Sequence, residues 1–227
     1  MAQIEVMSSV AIKAAYLELQ PQFERASGHT VVTKWIPGVD VLKRVKEGES
    51  SDIVILQAKD IDTLIAAGRI DPNGRYELAR SGVGVAVRAG APRPDISTVD
   101  ALKRALLAAK GISFSTGPSG VYMLELFEKL GIANDIKPKL KQIKGEPSGA
   151  ACARGETEIA FQQVSELLPV PGIDLIGTLP PEIQKVTTFC AGLQKTAREV
   201  AAAKEWIAFI KSPAAADAIR KSGMEPA

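Results

Sequence analysis

Ile112-Ser113-Phe114-Ser115-Thr116-Gly117-Pro118-Ser119-Gly120-Val121-Tyr122 joins a short apolar run to an amphipathic one through a loop of hydroxyls and glycines. Residues 112–115 read as a buried strand, and residues 121–130 as a helix that Gly131 closes. The loop therefore follows a strand and opens a helix, which is where open α/β sheets hold their ligands. Free backbone N–H groups and the positive end of the helix dipole converge at such a point, so an anion can be held there without a lysine. Gly120, read as a turn residue, is expected to accept a bulky substitute at the cost of binding and not of folding. The same residues also have a purely local reading, with Ser119 as a helix cap and the glycines as a turn.

The pattern repeats on either side. Residues 4–9 read as a strand, and residues 11–26 as a helix with Ile12, Ala15, Tyr16, Leu19 and Phe23 on one stripe, stopped by Gly28. A β-branched strand over 30–35 runs through the Pro37-Gly38 turn into a helix over 41–47, then a strand over 51–56 and a helix over 59–67. Further on come a strand over 82–87, a helix over 99–109, a helix over 148–154 and a strand over 158–163. Short strands over 173–176 and 186–191 and helices over 197–212 and 214–222 complete the chain. Strand and helix alternating at this spacing predict an α/β fold of parallel βαβ units, covered on both faces. No repeat and no Gly/Ser/Pro-rich linker divides the chain. Two α/β lobes are expected, one made of residues 1–81 and 189–227 and the other of 82–188, with the chain crossing near 80–85 and 186–191.

Composition narrows the function classes. With 46% hydrophobic and 24% charged residues in 227, the chain can bury a sizeable core, which excludes disorder and low-complexity scaffolds. Lys and Arg total 28 against 26 for Asp and Glu, and they are scattered, so no stripe for a nucleic acid exists. Cys152 and Cys190 stand in apolar surroundings without CxxC spacing and read as small core residues. The single histidine, His29, lies in a turn, which removes His-based triads and His-rich metal sites. No metal and no cofactor is expected, and GxSxG, GxxxxGK[ST] and HExxH do not occur. No apolar run has the length of a membrane span, so no direct membrane insertion is expected. The residues after Met1 lack a signal-peptide pattern: either the protein works in the cytoplasm, or Met1 replaces a removed export signal and it works in the periplasm.

Two further loops share the strand-to-helix setting, Ser8-Ser9 and Ile36-Pro37-Gly38-Val39. Gln162-Gln163 end an apolar strand; adjacent amides there suit a carboxylate, or else lie on an exposed edge. Arg80 closes an apolar stretch read as a helix, where a bidentate guanidinium would suit a carboxylate and a plain C-terminal cap would serve as well. Glu146 and Glu156 have no helical spacing, and no pair of carboxylates can be assigned to one face for acid/base work.

Val6-Met7-Ser8-Ser9, the helix ending Gln22-Phe23-Glu24-Arg25-Ala26-Ser27-Gly28, the run 46–55, and Gly117-Pro118-Ser119-Gly120-Val121-Tyr122 with Lys129-Leu130-Gly131 resemble the type II periplasmic solute-binding proteins, in particular the molybdate-binding branch. The resemblance runs in order over nearly the whole chain. It implies two α/β lobes joined by crossover strands, with the ligand in the cleft. Molybdate binders place serines in the first two loops, backbone amides after the third strand and in the far lobe, and a tyrosine in the far lobe. Here those positions fall at Ser9 (or Ala11 without a gap), Pro37-Gly38-Val39, Gln57 and Gln163. A tetrahedral dianion in a dry cleft depends on neutral hydroxyl donors, whereas amides at Gln57 and Gln163 with Arg80 fit an organic carboxylate. A related branch is similar to aconitate isomerase, an enzyme on the same fold.

The expectation is thus a solute-binding protein that captures a small organic anion for the membrane permease of an ABC-type importer. Its ligand groups would be Ser8, Ser9, Gly38, Val39, Gln57, Arg80, Ser115, Gly117, Ser119, Gly120, Tyr122 and Gln163. The alternative is an isomerase of small unsaturated polycarboxylates, whose base would have to be Tyr122, Lys34 or a glutamate.

Overall fold

A computed structural model describes residues 1–227. In chain order the first elements are β1 (Gln3–Ser8), a 3₁₀ turn, α1 (Lys13–Ser27), β2 (Thr30–Trp35), α2 (Gly38–Lys46), β3 (Ile53–Gln57), α3 (Ala58–Ala66) and β4 (Ile70–Ser81). Next follow β5 (Val83–Arg88), α4 (Val99–Ala108), β6 (Ile112–Ser115), α5 (Pro118–Lys129), α6 (Ala133–Ile136), β7 (Leu140–Ile143), α7 (Ser148–Ala153), β8 (Ile159–Gln163), α8 (Val164–Leu167) and β9 (Ile173–Thr178). The chain ends with β10 (Thr187–Gln194), α9 (Val200–Ile210), α10 (Ala216–Lys221) and β11 (Glu225–Pro226). Met1–Arg80 with Thr187–Ala227 form one compact unit, and Ser81–Val186 form a second.

The first unit is built on a sheet of order β11-β4-β10-β3-β1-β2. β2 and β3 flank β1 in parallel register, Ser8 opposing Trp35 on one side and Ile55 on the other. The stripe read from α1 covers one face, where Tyr16, Leu19 and Phe23 pack with Trp206, Ile207 and Ile210 of α9. Val41, Val45, Ile61 and Leu64 of α2 and α3 cover the other. Gly28 ends α1 at φ 74°, a left-handed conformation that a residue without Cβ adopts freely. Asp52 ties the unit together. Its Oδ2 accepts from Glu5 N–H at 2.8 Å, and its Oδ1 from Arg198 and Glu199 N–H at 2.7 and 3.0 Å, joining the start of β3 to β1 and to the entry of α9.

The second unit has a sheet of order β7-β6-β8-β5-β9. β7 and β8 lie parallel to β6, while β5 is antiparallel to both β8 and β9. Leu102 and Leu106 of α4 with Met123, Leu126 and Phe127 of α5 pack on one face. Cys152 of α7 and Leu167 pack with Ala86 and Ala160 on the other. Thr98 caps α4, its Oγ1 accepting from Ala101 N–H at 3.1 Å.

Four readings change. The sheets are mixed, because β5, β9 and β10 run antiparallel to their neighbours. Residues 70–81, whose end was read as a helix closed by Arg80, form β4, held between β10 and β11; pairing across the sheet overrides the helical preference of Leu78-Ala79-Arg80. α6, β7 and α8, each of four residues, carry no period long enough to read. α5 starts at Pro118, with proline in the first turn where its missing N–H is not needed.

Candidate ligand-binding site

Parallel pairing places the carboxyl ends of β1, β2 and β3 on one edge of the first unit's sheet, and each runs directly into a helical turn. Ser8, Ser9, Gly38, Val39 and Gln57 are thereby brought to that edge. Ser8 Oγ turns inward and donates to Ser9 O at 2.9 Å. Ser9 N–H is taken by Ile55 O at 3.0 Å, but its Oγ is buried without a hydrogen-bond partner. Ser9 retains 8% exposure, and a side chain on Gly38 would meet its Cβ at 3.6 Å, so the hydroxyl sits against the first turn of α2. Gly38 and Val39 are the first residues of α2, and their N–H groups have no intrahelical acceptor. Gln57, expected to offer its amide to a ligand, donates one N–H to Asp60 Oδ2 at 2.9 Å within α3's first turn. Arg80 lies on β4 and pairs with Glu77 at 3.5 Å, its side chain half exposed.

In the second unit the carboxyl ends of β6, β7 and β8 share one edge and lead into α5, α7 and α8. Ser115 Oγ accepts from Gly117 N–H at 3.2 Å and shares a hydrogen bond of 3.3 Å with Ser119 Oγ. Both hydroxyls are buried and shape the turn. The groups left for a ligand are the N–H groups of Ser119 and Gly120 in the first turn of α5, since Val121 N–H already bonds Gly117 O. The reading of Gly120 as replaceable is corrected. A Cβ there would lie 1.7 Å from Ser115 O and 2.6 Å from Ser115 C, so the strand carbonyl occupies the space a side chain needs. Gly117 is the opposite case, with only Ser115 Oγ near its Cβ direction at 3.6 Å.

Gln162 and Gln163 are both buried, which overturns the exposed-edge reading. They face opposite sides of the strand. Gln162 Oε1 accepts from Ser148 N–H at 2.7 Å and Ser148 Oγ at 3.0 Å, capping α7. Tyr122 donates its hydroxyl to Ile183 O at 2.6 Å and so anchors the segment before β10. Burial raises its pKa above the ordinary tyrosine value, with the nearby Glu125 charge adding to the effect, which makes it an anchor and a poor base. Lys34, the second candidate base, is exposed and paired with Glu49 at 2.8 Å. Glu146 and Glu156 both hold Arg154 on the surface.

Sequence reasoning missed the start of α7, Ser148-Gly149, and the first turn of α8, Ser165-Glu166. Ser165 Oγ is buried without a partner. Burial pushes the Glu166 carboxyl up to about 7, opposed by a hydrogen bond from the Gln162 amide. The adjacent glutamines were the one signal pointing there. An open groove of about 420 Å³ between residues 94–97 and 176–181 contains none of the groups above. Convergent unpaired donors locate an anion better than surface shape, so the β6-β7-β8 edge is the stronger candidate.

An α/β unit whose parallel strands deliver helix N-termini to one edge of the sheet has there an arrangement that can hold an anion through backbone donors. The chain belongs to the bacterial extracellular solute-binding protein family, whose pattern it matches over residues 4–225. It is 34% identical over 229 residues to aconitate isomerase of a Pseudomonas species, a match covering 98% of this chain and 87% of that protein. A molybdate-binding protein of Escherichia coli (strain K12) is 21% identical over 97% of this chain and 88% of its own. The periplasmic molybdate-binding protein of Azotobacter vinelandii has the same fold, with a TM-score of 0.81 at 18% identity over 97% of this chain and 98% of that one. No helix is long and apolar enough to cross a membrane.

Proposed function

We propose that this solute-binding protein captures a small organic carboxylate and delivers it, outside the cytoplasm, to the permease of an ABC-type importer. The observation that supports this most is the α5 entry, where Ser115 and Ser119 satisfy each other and leave backbone N–H groups of Ser119 and Gly120 as the available donors. Such donors bind a carboxylate without lysine or arginine. Gly38 and Val39 stand where the molybdate-binding pattern places a hydroxyl, which disfavours a tetrahedral oxyanion. The test is a thermal-shift series with citrate, tricarballylate, trans-aconitate, molybdate and sulfate. A ligand at a hundred times its Kd adds about 2.7 kcal/mol to folded-state stability. For a chain of this size that raises Tm by roughly 5–10 °C. A response to molybdate or sulfate alone would overturn the reading.

A second reading, isomerisation of an unsaturated polycarboxylate, is favoured by the relative at 34% identity. Incubation with trans-aconitate and chromatography of the products separates the two. Conversion to the cis isomer would make the chain an enzyme; unchanged trans-aconitate that still raises Tm would leave it a carrier.

A further inference from the structure

The carboxyl ends of β1 and β2 carry, beside their neutral donors, a cation with which no acid of the chain pairs. Trp35, the last residue of β2, stands opposite Ser8, the last of β1, so both side chains leave the sheet on the same face. α1 covers that face, and Tyr16 meets the Trp35 ring edge-on with centroids 5.0 Å apart. The 3₁₀ turn after Ser9 closes with Lys13 N–H on Val10 O and sets Lys13 at the first position of α1. Its ammonium lies over the Trp35 ring, 5.8 Å from the centroid. A lysine there faces the positive end of the helix dipole, and α1 has neither an acid in its first turn nor a side-chain cap to offset it.

The acids around this edge serve other groups. Glu49 holds Lys34 and Arg44, Glu18 holds Lys221, and Asp60 accepts from Gln57. Asp40 in the first turn of α2 and Lys59 in that of α3 are exposed, but only Lys13 is seated on a ring. One residue past Ser8, Ser9 is 8% exposed with its Oγ unpartnered, next to the N–H groups of Gly38 and Val39 that open α2. Those neutral groups can hold one carboxylate. They supply no countercharge for a second.

We propose that Lys13 selects a polycarboxylate: one carboxylate of the ligand takes the neutral donors at Ser9, Gly38 and Val39, and the ammonium seated on Trp35 pairs with another. The inference rests on the carboxylate-binding reading above. Contact with the indole restricts the lysine before the ligand arrives, so less side-chain freedom is lost on pairing. The ammonium also gains a charge-assisted hydrogen bond without breaking an ion pair inside the protein.

The experiment is calorimetric titration of the whole chain with tricarballylate, comparing the parent with Lys13→Met, Lys13→Arg and Lys59→Met. Methionine keeps an apolar stem over the ring and removes the charge. Affinity of Lys13→Met should be roughly tenfold weaker at low salt, and the deficit should shrink at about 0.5 M salt, where exposed charges are screened. Lys13→Arg should stay within about threefold and Lys59→Met within about twofold of the parent. Without ligand, each variant should melt within about 2 °C of the parent, because both lysines are exposed. Equal affinity in Lys13→Met, a deficit that salt does not reduce, or an equal deficit in Lys59→Met overturns the assignment of Lys13 and leaves the carboxylate reading intact. Absence of binding of tricarballylate, trans-aconitate and citrate to the parent overturns both.

Discussion

Gly120→Ala is the most informative single perturbation of this protein. The Cβ of an alanine would stand 1.7 Å from Ser115 O and 2.6 Å from Ser115 C, both backbone atoms of β6. Neither can rotate away as a side-chain end would, so either the strand carbonyl or the first turn of α5 must move by more than an ångström. Overpacking against side chains that can yield costs about 1–3 kcal/mol, and a backbone collision belongs at or above the upper end. At about 3 kcal/mol the expected fall in Tm is roughly 10 °C. The same displacement pulls the N–H groups of residues 119 and 120 out of position, so ligand-induced stabilisation should vanish as well. Gly117→Ala is the matched control. Its Cβ meets only Ser115 Oγ, at ordinary contact distance, so stability should change by no more than about 0.5 kcal/mol while the methyl obstructs the approach to the same donors. Calorimetric or fluorescence melting of the three proteins, with and without trans-aconitate, gives all the quantities needed. A Gly120→Ala protein melting within about 2 °C of the parent would refute the steric argument, and one that still binds would remove α5 from the site.

Three further expectations follow from buried polar groups. Ser9→Ala removes a hydroxyl that has no partner, so stability should hold or rise slightly, while affinity falls by about tenfold or more if that hydroxyl serves the ligand; melting and calorimetry separate the two effects. Asp52→Ala deprives the Glu5, Arg198 and Glu199 N–H groups of a shared acceptor that is 4% exposed, and should lower stability by about 3–5 kcal/mol; a Tm within about 3 °C of the parent would contradict this. Glu166 is raised from 4.5 to about 7 on folding, so its favourable contribution is complete below about 4.5 and is lost as pH rises through 7. Glu166→Gln should remove up to about 3 kcal/mol of that pH dependence, measured as Tm against pH from 4.5 to 8 without ligand.

What sequence alone determined lies within short windows. The stripe Ile12, Ala15, Tyr16, Leu19, Phe23 and the stop at Gly28 are local facts, because a helix buries one face every 3.6 residues and a left-handed end favours glycine. The strand, loop and helix around Ser115–Gly120 were legible for the same reason, and with them the α/β class and the family. Tertiary structure decided whatever depends on distant partners. β4 is a strand because β10 and β11 lie beside it, from more than a hundred residues further along the chain. Antiparallel β5 and β10 follow from where the chain returns, which no local period records. The use of each polar group was equally hidden. Gln57 and Tyr122 have donors fit for a ligand, yet each is engaged by Asp60 or by Ile183 O. Gly120 was visible as a glycine, and the Ser115 carbonyl that forbids any other residue there lies only five positions back, but how closely the turn folds α5 onto the end of β6 is not recorded by the residue types. Glu166 looks like any other acidic residue in the sequence; its raised proton affinity comes from desolvation, which exists only once α8 has packed on β5 and β8.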